Sequence, residues 1–126
     1  MFTTLLVDDL RDFKNPPAGL VVTRTSKAGV IALKSQKHWY ELWLDHDLGL
    51  VDGELDTVWP VVDYLSEAAF LGYELTVDKI YVHSSNPVGA RQMLTTLSRY
   101  GYRTKAVPAA RFFTVPKSRD QNSSGW

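Results

Sequence analysis

The chain of 126 residues contains no cysteine. That absence excludes a disulfide framework, thiolate zinc sites and a cysteine nucleophile, and it is compatible with a reducing compartment. An excess of one charge is also missing: fourteen Lys and Arg balance fourteen Asp and Glu. No overall field therefore attracts a membrane or an extended nucleic-acid surface, and any phosphate binding has to be local. No apolar run is long enough to span a bilayer. Residues 1–7 lack a basic flank and meet Asp8 and Asp9 too early for a signal sequence, so a cytoplasmic location is expected. What is present, 44% hydrophobic residues in a chain of this length, suffices for one packed domain, read here as residues 1–115 with a polar tail over 116–126.

Short apolar runs alternate with helical periodicities, the pattern of a mostly parallel sheet covered by helices. Strands are expected at Phe2–Val7, Leu20–Arg24, Glu41–Leu44, Lys79–Val82 and Tyr102–Val107, with Arg111–Val115 as an added edge strand. The segment Arg11–Gly19 carries Asn15-Pro16-Pro17 and reads as a loop, because consecutive prolines remove donors and restrict their predecessors. One helix follows Ser26 as N-cap. A second carries Val58, Val61, Val62 and Leu65 on one face. A third has Asn86 as cap, Pro87 in the first position, a stripe of Ala90, Met93, Leu94 and Leu97, and Gly101 beyond its end.

Three polar clusters follow the last apolar residues of predicted strands: Asp8-Asp9, Asp45-His46-Asp47 and His83-Ser84-Ser85-Asn86. In an open parallel sheet these ends share one edge, where ligands bind. Asp8, Asp9, Asp45 and Asp47 supply hard oxygen ligands that suit Mg²⁺, Mn²⁺ or Ca²⁺; Asp47 equally suits orienting His46. Imidazole titrates in the range needed to take a proton from water and return one to a leaving oxygen, which makes His46 and His83 candidates for those roles. His38 lies in a polar stretch and reads as a solvated surface residue. The helix start at Asn86 to Gly89 offers backbone N–H groups to a phosphate, and Arg11, Arg24 and Arg91 are guanidinium candidates to neutralise it. Trp59 and the Trp39-Tyr40-Trp43 group read as core packing, with a base platform as the alternative.

The acidic pair Asp8 and Asp9, Asp45, the hydroxyl of Ser84 and Lys105 resemble the constellation of response-regulator receiver domains, which bind Mg²⁺ and accept a phosphoryl group, here on Asp45. Two departures are the Pro-rich loop in place of the first helix and the two added histidines. The longer motifs Leu44-Asp45-His46-Asp47-Leu48-Gly49 and His83-Ser84-Ser85-Asn86-Pro87-Val88-Gly89-Ala90 are similar to those of the cyclic-phosphate-processing receiver-like family of bacteria and their phages. So are Asp8-Asp9-Leu10-Arg11 and Arg24-Thr25. The resemblance spans Leu5 to Lys105. It implies a receiver-like, flavodoxin-like three-layer α/β fold with a five-stranded sheet whose first helix is replaced by a loop. It implies a metal-assisted phosphoesterase acting on a cyclic phosphate of a nucleotide, RNA end or ADP-ribose derivative, with Mg²⁺ or Mn²⁺ as cofactor. In that reading Asp45, His46 and His83 are catalytic, and Asp8, Asp9, Asp45 and Asp47 face the metal. Arg11, Arg24, Ser84, Asn86, Gly89 and Lys105 face the phosphate. A non-catalytic sensor or sponge for cyclic nucleotides and a receiver phosphorylated on Asp45 are the alternatives. The oligomeric state is not legible in the sequence.

Overall fold

The computed structural model describes residues 2–115; the polar tail expected over 116–126 lies outside the described residues. Five parallel strands form the central sheet: β1 (Thr4–Val7), β3 (Leu20–Thr23), β4 (His38–Leu44), β7 (Thr76–Val82) and β8 (Thr104–Ala106), in the order β3-β1-β4-β7-β8. Two short antiparallel pairs supplement it: β2 (Asp12–Phe13) with β9 (Phe113–Thr114), and β5 (Asp47–Val51) with β6 (Glu54–Thr57). The helices are α1 (Ser26–Lys34), α2 (Trp59–Leu71), α3 (Pro87–Arg99) and the single turn α4 (Ala109–Phe112).

The handedness of parallel crossovers decides which side each helix covers. From β3 to β4, β4 to β7 and β7 to β8 the chain steps across the sheet in one direction, so right-handed connections put α1, α2 and α3 on the same face. Strand alternation serves that face: Leu5, Val7, Leu42, Leu44, Ile80 and Val82 point into it and meet Leu33, Val61, Leu65, Met93 and Leu97, all buried. From β1 to β3 the step reverses, and its connection belongs to the other face. There the third layer is thin, made of the loop carrying β2 together with α4 and β9. Leu6, Trp43 and Tyr81 point to this side and pack with Phe13, Phe112 and Phe113.

Several local expectations are corrected. Arg111–Val115 does not add an edge strand to the main sheet; it makes the turn α4 and then pairs with β2. The third strand begins at His38 rather than Glu41, because His38 and Trp39 pair with Thr76 and Val77. The fifth strand shrinks to Thr104–Ala106. The cap of α1 is Thr25, whose hydroxyl accepts from the Ala28 N–H; Ser26 instead gives its N–H and hydroxyl to Asp56 of β6. The segment after Asp45 is not a simple strand end but starts the β5-β6 hairpin. Its turn takes positive φ at Asp52 (51°) and Gly53 (80°), the conformation an Asp-Gly pair supplies in a tight hairpin.

Candidate functional site

Val7, Leu44 and Val82 are neighbours in register across β1, β4 and β7. The ladder continues one residue further, with Asp45 N–H donating to Val7 O (3.0 Å) and His83 N–H to Leu44 O (3.1 Å). Asp8, Asp45 and His83 therefore leave the sheet in one row at its carboxyl edge. The row straddles the β1/β4 boundary, where the chain reverses its direction across the sheet and an α/β crevice is expected.

Asp8 is fully buried and saturated with donors. Its Oδ1 accepts the N–H groups of Leu10 and Arg11, both at 2.9 Å, and its Oδ2 accepts from His83 Nε2 at 2.9 Å and Arg11 Nη1 at 3.4 Å. Burial works to raise the Asp8 carboxyl, but the bonds from His83, Arg11 and Leu10 outweigh it and hold the group at about 2. Asp9 and Asp45 shift the other way. Burial raises both, and the charge on Asp8 adds to it. Asp45 is offset in part by His83, by Arg11, whose Nη1 lies 3.0 Å from Asp45 Oδ2, and by the Ser84 hydroxyl bonded to it. One carboxylate is thus locked in the charged form while two neighbours are crowded against it.

Oxygen atoms of Asp8, Asp9 and Asp45 lie within 4.8 Å of one another. An all-carboxylate oxygen set of this kind fits a hard divalent cation, and the positive charge of the Arg11 guanidinium now bridges two of its members. Asp47 stands outside the cluster, its carboxylate on the His46 ring. Gly49 of β5 lets Asp9 approach the hairpin: its φ is +72°, and a Cβ there would meet Asp9 Oδ2 at 2.7 Å.

The structure gives the two imidazoles different surroundings. His83 is 0% exposed, its ring 4.3 Å from that of Phe113, and it reaches Asp8 although β4 lies between their strands. Since the ionised carboxylate only accepts, Nε2 carries the proton; Nδ1 has no partner among the described residues and is buried. His46 lies at the rim with both ring nitrogens engaged. Nδ1 donates to Asp47 Oδ1 (2.9 Å), and Nε2 accepts from the Trp59 indole N–H (3.2 Å).

The expected phosphate ligands also sort into groups. Arg24 serves the acidic loop itself: it donates to the carbonyls of Asp8 (3.1 Å) and Arg11 (2.7 Å) and pairs with Asp12. Asn86 caps α3 by accepting the Gly89 N–H at 2.9 Å, so the side chain of this chain already fills part of the anion seat. The Asn86 N–H donates to Ser84 Oγ (3.0 Å), which links the helix start to Asp45. Lys105 is exposed in β8 and bonds none of the cluster carboxylates. His38 pairs with Asp78 on the surface, as its setting suggested.

Gly89 has a steric reason that sequence reasoning missed. A Cβ built there would lie 2.5 Å from His46 Cδ2, so the imidazole occupies the space a side chain would need. Gly89→Ala normally gains helix propensity, roughly 1 kcal/mol. Here the clash is expected to reverse the sign and destabilise the protein by about 2 kcal/mol. Urea titration checks this, and combining the change with His46→Ala should recover most of the loss; independent, additive effects would contradict the contact.

The fold and site thus define a receiver-like α/β protein with an acidic cluster at the carboxyl edge of its sheet. Residues 3–99 match the family model described as the cyclic-phosphate processing receiver domain, and the chain belongs to that family. No curated protein and no solved structure matches it. Among the described residues, no helix is long and apolar enough to cross a membrane.

Proposed function

We propose that the protein hydrolyses a cyclic phosphate of a nucleotide, RNA end or ADP-ribose derivative, with Mg²⁺ or Mn²⁺ held by Asp8, Asp9 and Asp45. The observation that carries this reading is the convergence of three carboxylates at the sheet edge in a chain of this family. When bound, such an ion polarises a phosphoryl oxygen and lowers the pKa of an attached water. The remaining work falls to the chain's own groups. Arg11, released from Asp8 and Asp45, offers a guanidinium fork to the phosphoryl oxygens, and Ser84 offers a hydroxyl. His83 keeps Asp8 oriented and ionised and is a positioning residue, since no face of it is open to a substrate. Arg24 holds the Asp8 to Arg11 loop in shape, and Lys105 has no part.

His46 is assigned as the general base. Asp47 fixes its proton on Nδ1, which leaves Nε2 as the acceptor once the 3.2 Å indole contact is displaced. In the reaction water adds to phosphorus and one bond from phosphorus to a ribose oxygen breaks. The proton that water loses to His46 is matched by one the ribose oxygen gains from solvent, and the product is a phosphomonoester.

Phosphorus NMR of the protein with Mg²⁺ or Mn²⁺ and a panel of 2′,3′- and 3′,5′-cyclic nucleotides, ADP-ribose 1″,2″-cyclic phosphate and cyclic-phosphate-ended RNA tests this. A new monoester resonance, absent with EDTA and reduced about 10²- to 10⁴-fold in rate by His46→Gln, is the expected result. Broadened but unchanged substrate resonances would replace hydrolysis with binding alone.

A further inference from the structure

An open cleft of about 400 Å³ lies beside the site, lined by Trp59, Arg91, Gln92, Thr95 and Thr96, of which Arg91, Gln92 and Thr95 are exposed. That volume falls in the range of small-molecule pockets, roughly 300–1,000 Å³. Its lining is chemically distinctive: one indole, one guanidinium, one carboxamide and two hydroxyls, with no carboxylate. Among the described residues the side chains of Arg91, Gln92, Thr95 and Thr96 engage in no hydrogen bond or ion pair, so their donors and acceptors are free for a ligand. The Trp59 N–H donates to His46, and the two rings meet edge-on, 6.5 Å apart with planes at 86°. The indole also packs against the main hydrophobic core, which keeps it in place when His46 Nε2 turns to the substrate water. An edge-on contact leaves the faces of the indole uncovered by the imidazole.

Position ties this cavity to the carboxylate cluster. Trp59 opens α2 and Arg91 lies near the start of α3, and both helices begin at the same sheet edge where Asp8, Asp9 and Asp45 converge. His46 stands between, adjacent to Asp45 in the chain and bonded to Trp59. A ligand whose phosphate sits at the carboxylates would pass its sugar by His46 and bring its far end to Trp59.

We propose that this cavity is a nucleobase subsite, in which a base stacks on Trp59 while Gln92 and Arg91 hydrogen-bond its edge. A planar ring with polar edges matches the lining: bases stack on aromatic and guanidinium planes, and a carboxamide pairs with their donor and acceptor edges. The inference rests on the phosphoesterase reading for the identity of the whole ligand, and it narrows the substrate class to base-bearing cyclic phosphates.

The test uses the ¹⁵N-labelled full chain and free nucleosides, which carry no phosphate. Adenosine, guanosine, cytidine and uridine are titrated at millimolar concentration with ribose as control, and the Trp59 indole resonance is identified from the spectrum of Trp59→Phe. Saturable shifts at that resonance and at the amides of residues 91–96, absent with ribose and weakened about tenfold in Gln92→Ala or Arg91→Ala, are expected. No shift, shifts elsewhere, or shifts unaltered by both variants would overturn the subsite. Nucleoside binding here without turnover of any cyclic phosphate would keep the subsite and remove the phosphoesterase reading. Turnover without these shifts would do the reverse.

Discussion

Asp8→Ala is expected to lower the stability of the fold by about 4 kcal/mol and to abolish divalent-cation binding. The carboxylate is fully buried and accepts from two backbone N–H groups, the His83 ring and the Arg11 guanidinium, so truncation strands the buried His83 donor and removes the acceptor that orders the other three. Relief of crowding on Asp9 and Asp45 offsets part of the loss. Urea unfolding and calorimetric titration with Mg²⁺ or Mn²⁺ measure the two effects separately. The same contacts set an acid limit. Because the folded value of Asp8 lies near 2, below its ordinary 3.8, its contribution of about 2.5 kcal/mol is present in full well above pH 3.8 and fades as the pH falls through 2. Asp9 and Asp45, both raised, act with the opposite sign: they reduce stability as the pH climbs past their ordinary values, and acidification to that range relieves them. Asp8→Asn should therefore lack the low-pH loss that the parent shows in stability measured from pH 2 to 5.

The second large effect falls on His83. His83→Ala should cost about 3 kcal/mol, since it leaves a cavity against Phe113 and removes the side-chain donor that closes the Asp8 Oδ2 network. Loss of turnover in that variant alone would not separate a chemical role from a structural one. His83→Gln retains an N–H donor within reach of Asp8 and should recover most of the stability. A positioning role predicts that it recovers substantial turnover as well, with the pH profile unchanged. A stable His83→Gln protein without turnover would instead assign the imidazole to proton transfer.

The residues that terminate strands were legible because an apolar run that stops at an acid marks both the strand end and its polarity. Asp8 and Asp45 stand out this way, His83 as the polar residue that ends Ile80-Tyr81-Val82, and the parallel topology brings all three to one row. The third helix was legible for a local reason: Asn86, Pro87 and Gly101 punctuate it on their own. What failed to show was non-local. His83 meets Asp8 across 75 positions, and Ser26 is claimed by Asp56 across 30, which left Thr25 to cap α1. The two-residue pairing of β2 with β9 has no sequence signature at all. The β5-β6 hairpin did carry one, the Asp52-Gly53 turn, but its strands are largely exposed, with Leu50 and Leu55 facing solvent, so no buried alternation drew attention to it. A charge in the sequence names no partner. Arg24 reads in the sequence as a phosphate ligand, yet its donors hold carbonyls of the Asp8 to Arg11 loop. Trp59 reads as packing, and its bond to His46 has no local sequence signal.

If water opens a cyclic phosphate at the carboxylate cluster, the oxygen of that water ends on phosphorus. Incubation of a 2′,3′-cyclic nucleotide with the full chain and Mn²⁺ or Mg²⁺ in oxygen-18 water, followed by mass spectrometry, follows that oxygen. The expected product is a nucleoside monophosphate carrying one labelled oxygen on phosphorus, formed by the parent protein and not by folded Asp45→Asn. Cyclic nucleotide recovered intact, or equal labelling by Asp45→Asn, would contradict hydrolysis at the cluster.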